Sequence, residues 1–120
     1  MKMFVNVTAV YLHRDAVDFR KSINGLAVIV EQTMALDAFC GALFVFRNRR
    51  ADKLKILYWD SSGFCLWYKR LETERFKWPS KADHETLIID EEALHWLLRG
   101  FDISQMKAHH NLNYSSDLDA

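Results

Sequence analysis

The sequence has 120 residues, half of them hydrophobic and 13% aromatic, with one proline and four glycines. That composition excludes a disordered chain and leaves little room for a flexible linker. The length suggests one domain whose core needs no disulfide or metal staple. The 16 Lys/Arg balance the 16 Asp/Glu, but unevenly: residues 1–82 carry 14 basic and 8 acidic residues, residues 83–120 carry 2 and 8. A basic body with an acidic C-terminal part can mark an anionic partner for the body, or an acidic part that folds back onto it.

No stretch approaches the roughly 18 apolar residues of a membrane span. The opening Met1-Lys2-Met3-Phe4-Val5-Asn6 has neither a long apolar run nor a small-residue cleavage site, so a cytoplasmic protein is expected. Cys40 and Cys65 stand in no metal-ligand spacing and read as reduced, partly buried thiols, Cys40 in a loop and Cys65 in a strand.

In chain order, Val10-Tyr11-Leu12-His13 predicts a short strand. Asp15 or Asp18 offers a helix cap, and Phe19, Ile23, Leu26, Val30 and Met34 recur at helical spacing, giving an amphipathic helix in which Gly25 permits a close contact. Ala42 to Arg47 is apolar on both alternating faces, as a central strand would be. The polar segment 48–52 separates it from Lys53–Trp59, and the two strands predict a β-hairpin. Asp60-Ser61-Ser62-Gly63 is a turn, Phe64–Leu71 a further strand, and Arg75–Trp78 a fourth member of the meander ended by Pro79. Glu85–Ile89 adds one more strand. Asp90 caps a second helix with Glu91 and Glu92 at its positive end, a buried face of Ala93, Leu94, Leu97 and Leu98, and a stop at Arg99-Gly100. The expected fold is α+β: an antiparallel meander of about five strands packed against an N-terminal helix and a short C-terminal helix. Residues 1–108 would form one compact domain and 109–120 a polar, flexible tail.

The sharpest candidate for function is the hairpin tip. Arg47, Arg49, Arg50, Lys53 and Lys55 crowd together with Asp52 as the only opposing charge. Arginines on a β-ribbon can enter a DNA groove and neutralise phosphates; the alternative is a solvated loop that keeps a sheet edge soluble. Lys69 and Arg70 follow Trp67 and Tyr68, and Trp59, Trp67 and Lys69 could share a face on which unpaired bases stack. Core burial of the tryptophans is the competing reading. Arg20 and Lys21 could hold phosphate or pair with Asp15, Asp18 or the acidic helix. The carboxylates Asp15, Asp18, Asp52, Asp60, Glu72 and Glu74 fall in turns and caps, and His109-His110 has no partner at metal spacing. There is no phosphate-binding glycine loop, no Cys/His ligand set and no nucleophile motif. No cofactor or metal is expected.

Four ordered blocks carry a family likeness: 18–26, 37–50, 52–60, and 66–71 continuing to Phe76-Lys77-Trp78-Pro79. Over about Val10 to Asp102 the chain resembles the small TnpB accessory protein, the second open reading frame, of the insertion sequence sixty-six transposon family. It carries Ala38-Phe39-Cys40 where that family usually has Pro-Phe-Ser. The resemblance implies a role in DNA transposition beside a separate, larger transposase that holds the strand-transfer carboxylates, and no established catalytic residues here. The resulting expectation is a non-catalytic accessory protein binding transposon DNA through Arg47, Arg49, Arg50, Lys53 and Lys55, aided by Lys69 and Arg70. The alternative is a module that docks on the transposase or self-associates as a homodimer without touching DNA. A small nuclease is the third and least supported reading.

Overall fold

The computed structural model describes residues 7–79, 85–106 and 113–114. The strands are β1 (Val10–His13), β2 (Leu43–Arg47), β3 (Lys53–Trp59), β4 (Phe64–Arg70), β5 (Thr86–Ile89) and the two-residue β6 (Asn113–Tyr114). The helices are α1 (Ile23–Val28), which widens into a π-helical turn over Ile29–Thr33, and α2 (Glu91–Leu98), followed by a 3₁₀ turn at Ile103–Met106. The strands form one sheet in the order β4-β3-β2-β1-β5-β6.

The class is α+β, as expected, but the sheet is mixed. β1 and β2 run parallel, with Tyr11 opposite Phe44, while every other pairing is antiparallel. Parallel neighbours need a long crossover, and here segment 14–42 supplies it, carrying α1. The first helix is therefore an internal crossover element between two strands, not an N-terminal one. It also starts later than the apolar spacing suggests. Asp18 closes a turn instead, accepting from the Arg20 N–H at 2.9 Å through its carboxylate and from the Lys21 N–H at 3.0 Å through its carbonyl. Ser22 then takes the N-cap position. An added Cβ at Gly25 would lie 3.0 Å from the Lys21 Cβ, so the glycine does admit a close approach.

Strand alternation distributes the core over two faces. Val10, Leu12, Leu43, Val45, Leu54 and Ile56 pack with Leu94, Leu97, Leu98 and Ile103 on the α2 side. Phe44, Phe46 and Leu57 pack with Leu26, Val30 and Met34 on the α1 side. The sheet thus lies between the two helices, which is why β2 is apolar at successive positions. α2 follows the sequence expectation closely: the Asp90 carboxylate accepts from the Ala93 N–H at 2.7 Å, the four predicted residues are buried, and Gly100 turns the chain at φ 92°.

Arg75–Trp78 is not a strand. Only Phe76 of this stretch is fully buried, its N–H donating to the Ala51 carbonyl at 2.6 Å, and the Trp78 indole N–H donates to the His13 carbonyl at 3.0 Å. The segment is pinned by single anchors, with no ladder. Residues 107–112 and 115–120, which include most of the expected tail and His109-His110, lie outside the described residues. Among the described residues no helix is long and apolar enough to cross a membrane.

Candidate nucleic-acid interface

The β2–β3 bend forms as the sequence suggests, and Asn48 organises it. The Asn48 side-chain oxygen accepts from the Lys53 N–H at 3.0 Å, its amide donates to Asp52 at 2.7 Å, and its carbonyl accepts from the Ala51 N–H at 3.1 Å. Ala51 takes a left-handed conformation, φ 58°, to complete the reversal. From outside, Leu71 N–H donates to the Asp52 carbonyl at 2.8 Å and Phe76 N–H to that of Ala51. Two backbone bonds from segment 71–76 thus brace the bend. Arg49 and Arg50 project from it, both exposed. Neither forms an ion pair with another described residue. Asp52, the nearest carboxylate in sequence, is held below the usual carboxylate range chiefly by the Asn48 hydrogen bond. Its first role is to close the bend.

The tip faces the loop before α1. An open depression of about 490 Å³ lies between them, lined by Ala16 to Arg20 on one side and Asn48, Arg49 and Arg50 on the other. On its far rim Arg20 forks onto Asp18, with Nε at 3.1 and 3.0 Å and Nη2 at 2.6 Å from the carboxylate oxygens. That contact pulls the Asp18 pKa down to about 2. Of the partners considered for Arg20, Asp18 is the one the structure provides. Sequence reading did not place Arg20 beside the tip; the Asp18-Phe19-Arg20 turn spacing was the available signal.

The remaining sequence-predicted residues divide by what their side chains touch. Arg47 is half-buried, donates from Nε to the Arg14 carbonyl at 3.1 Å, and has its pKa pulled down by burial. Lys55 lies 4.8 Å above the Phe19 ring and donates to the carbonyls of Phe19 (2.9 Å) and Lys21 (2.8 Å). Lys69 donates to the Leu98 carbonyl at 2.9 Å, on the last turn of α2, where a cation also suits the helix dipole. Lys53 and Arg70 stand opposite each other on β3 and β4, and Arg70 pairs with Glu72 at 2.9 Å. The structure therefore brings Arg49, Arg50 and Arg20 around one depression, with Lys53 and Arg70 nearby on the sheet. Arg47, Lys55 and Lys69 are engaged by backbone carbonyls.

The aromatic face is not as the sequence suggested. In the β3–β4 register Trp59 stands opposite Phe64 and Trp67 opposite Ile56, so the two tryptophans are offset by three positions, an odd step along the pleat. Trp59 and Trp67 lie on opposite faces. Trp67, on the face of Lys69, packs against the α2-side core. Trp59 belongs to a ring cluster with Phe39 and Phe64, centroids 4.9 to 5.1 Å apart, in which Phe39 is 53% exposed. Cys40 is exposed and Cys65 half-buried, both free thiols. Among the described residues no three His, Cys, Asp or Glu side chains converge to hold a metal ion.

The model of the family described as IS66 Orf2 like protein matches residues 8–108. Two relatives from Sinorhizobium fredii (strain NBRC 101917 / NGR234) are each 40% identical. The uncharacterized protein y4jC aligns over 91 residues, 76% of this chain and 77% of its own. The uncharacterized protein y4hO aligns over 85 residues, 71% of this chain and 73% of its own. No solved structure matches. A match over most of the chain, together with these two relatives, identifies it: the protein belongs to the IS66 Orf2-like family, whose membership implies an accessory role in transposition.

Proposed function

We propose that the protein is a non-catalytic accessory factor of transposition that binds transposon DNA through the β2–β3 tip. The observation that carries this reading is the pair of exposed guanidinium groups of Arg49 and Arg50, without an ion-pair partner among the described residues, on a bend fixed by Asn48 and braced by segment 71–76. A fixed tip loses little conformational freedom when it binds, so more of the phosphate attraction is retained as affinity. Arg20, Lys53 and Arg70 extend the positive surface around the tip. Arg47, Lys55 and Lys69 act mainly by holding the tip, the α1 lead-in and α2 in place. The test is a fluorescence-anisotropy titration against a transposon-end duplex over a salt series. Binding that weakens with salt, and weakens further in Arg49→Ala/Arg50→Ala, supports the reading; salt-independent binding, or none at low ionic strength, removes it.

A second reading, docking on the transposase without DNA contact, draws on the half-exposed Phe39 stacked against Trp59 and Phe64, because exposed aromatic clusters are common anchors of protein interfaces. Co-purification with the cognate transposase that survives Arg49→Ala/Arg50→Ala but fails in Phe39→Ala would favour it.

A further inference from the structure

Among the described residues the far side of β4 is an open sheet edge. β4 ends the strand order, and no described residue pairs beyond it. Which of its backbone groups face outward follows from the ladder. Asp60 N–H donates to the Gly63 carbonyl and Leu71 N–H to the Asp52 carbonyl, so pairs 52–71 and 60–63 are hydrogen-bonded pairs. Because antiparallel pairs alternate, the intervening bonded pairs are Leu54–Lys69, Ile56–Trp67 and Tyr58–Cys65 in the observed register. The N–H and C=O groups of Phe64, Leu66, Tyr68 and Arg70 therefore point away from β3. An edge of this length is normally blunted by proline, a bulge or inward-facing charge. Within β4 only Lys69 and Arg70 are charged, and Lys69 is turned toward α2.

We propose that this edge pairs with β4 of a second copy, antiparallel about a two-fold axis at Trp67. Only a centre there matches every outward residue with another outward residue: Phe64 with Arg70 of the second copy, Leu66 with Tyr68, and the reverse. The side chains agree with that register. Tyr68, 49% exposed, gains Leu66 as an apolar cross-strand neighbour, and the Arg70 guanidinium comes beside a phenyl ring, a favourable cation–aromatic contact. The two Arg70 side chains lie six residues apart along the strands, roughly 20 Å at the usual rise, so like charges do not meet. Shifting the register by two residues would leave outward groups of each strand unpaired. The pairing does not depend on the DNA reading. If both hold, one continuous sheet presents two basic tips on a diagonal, roughly 35–40 Å apart by strand rise and spacing and close to one turn of duplex DNA.

Sedimentation equilibrium of the full chain at high micromolar concentration tests this, with Tyr68→Pro as the variant. Of the backbone hydrogen-bonding groups, proline at position 68 removes one outward N–H and none that pairs with β3. The proposal expects a dimer for the wild type and a folded monomer, by far-ultraviolet circular dichroism, for the variant. Amide exchange supplies a readout without mutation. The Leu66, Tyr68 and Arg70 amides should slow by at least about tenfold as concentration rises, while those of Cys65, Trp67 and Lys69 are protected throughout. A monomeric wild type, a Tyr68→Pro dimer, or outward amides that become protected only when transposase is added would overturn the second copy as occupant. None of these results bears on whether the tip binds DNA.

Discussion

Lys55 separates a structural from a nucleic-acid role most cleanly, because the sequence places it among the DNA-facing residues and the structure gives it two backbone carbonyls. Its ammonium holds the carbonyls of Phe19 and Lys21 at 2.9 and 2.8 Å and sits 4.8 Å from the Phe19 ring centre. Lys55→Met keeps the aliphatic stem and removes the charge. Hydrogen bonds from a charged donor contribute about 1.5–3 kcal/mol, and an exposed cation–aromatic contact about 0.5–1 kcal/mol. The freed carbonyls lie near the surface and regain water, so the net loss falls at the low end, about 2 kcal/mol. For a domain of this size about 1 kcal/mol corresponds to about 4 °C in Tm, so thermal unfolding by circular dichroism should show a fall of about 8 °C. The DNA titration, run well below the transition, should keep its salt slope. A Tm within about 1 °C of wild type, with the slope reduced by about 0.9, would refute the structural role and make Lys55 a phosphate contact.

Asp90→Ala removes the cap on α2 and should cost about 1 kcal/mol, a Tm decrease of about 4 °C; an unchanged Tm would mean the cap is dispensable. Ala51→Gly relieves a left-handed alanine in the bend and should raise stability, by at most about 1 kcal/mol in urea unfolding, because the glycine also adds freedom to the unfolded chain. The side-chain hydrogen bond from Arg20, first among the causes, pulls the Asp18 pKa from its ordinary 3.8 down to about 2 in the folded protein. Its folded pKa is depressed, so its stabilisation is present above about 3.8 and is lost as pH falls toward 2. In Arg20→Ala the carboxylate titration followed by NMR should move up from about 2; a midpoint that stays put would remove Arg20 as the cause.

The parts of this structure that were legible in the sequence are those specified locally. Asp90, the acidic first turn and Gly100 bracket α2 without reference to anything distant. The polar run 48–52 between two strand-like segments marks the bend, and the double-sided apolar run of β2 marks a central strand. Pairing was less legible. The four residues of β1 carry no information about whether their neighbour is β2 in parallel or β5 in antiparallel, and both are true. Arg75–Trp78 alternates like a strand, but its pattern reflects two isolated anchors, Phe76 in the core and the Trp78 indole on His13. Charge told least about side-chain role. Lys55, Lys69 and Arg47 look in sequence like Arg49 and Arg50, yet each reaches a backbone carbonyl, and only the three-dimensional course of segment 14–21 and of α2 brings those acceptors within range.

The proposed binding of DNA by the bend rests on its two exposed arginines, Arg49 and Arg50. The direct measurement is the salt dependence of binding to a transposon-end duplex by wild type and by Arg49→Ala/Arg50→Ala. Each lost phosphate contact lowers the slope of log affinity against log salt by about 0.9, so the double variant should bind more weakly at every salt with a slope shallower by about 1.8. Equal slopes and equal affinities for the two proteins, with both folded, would contradict it.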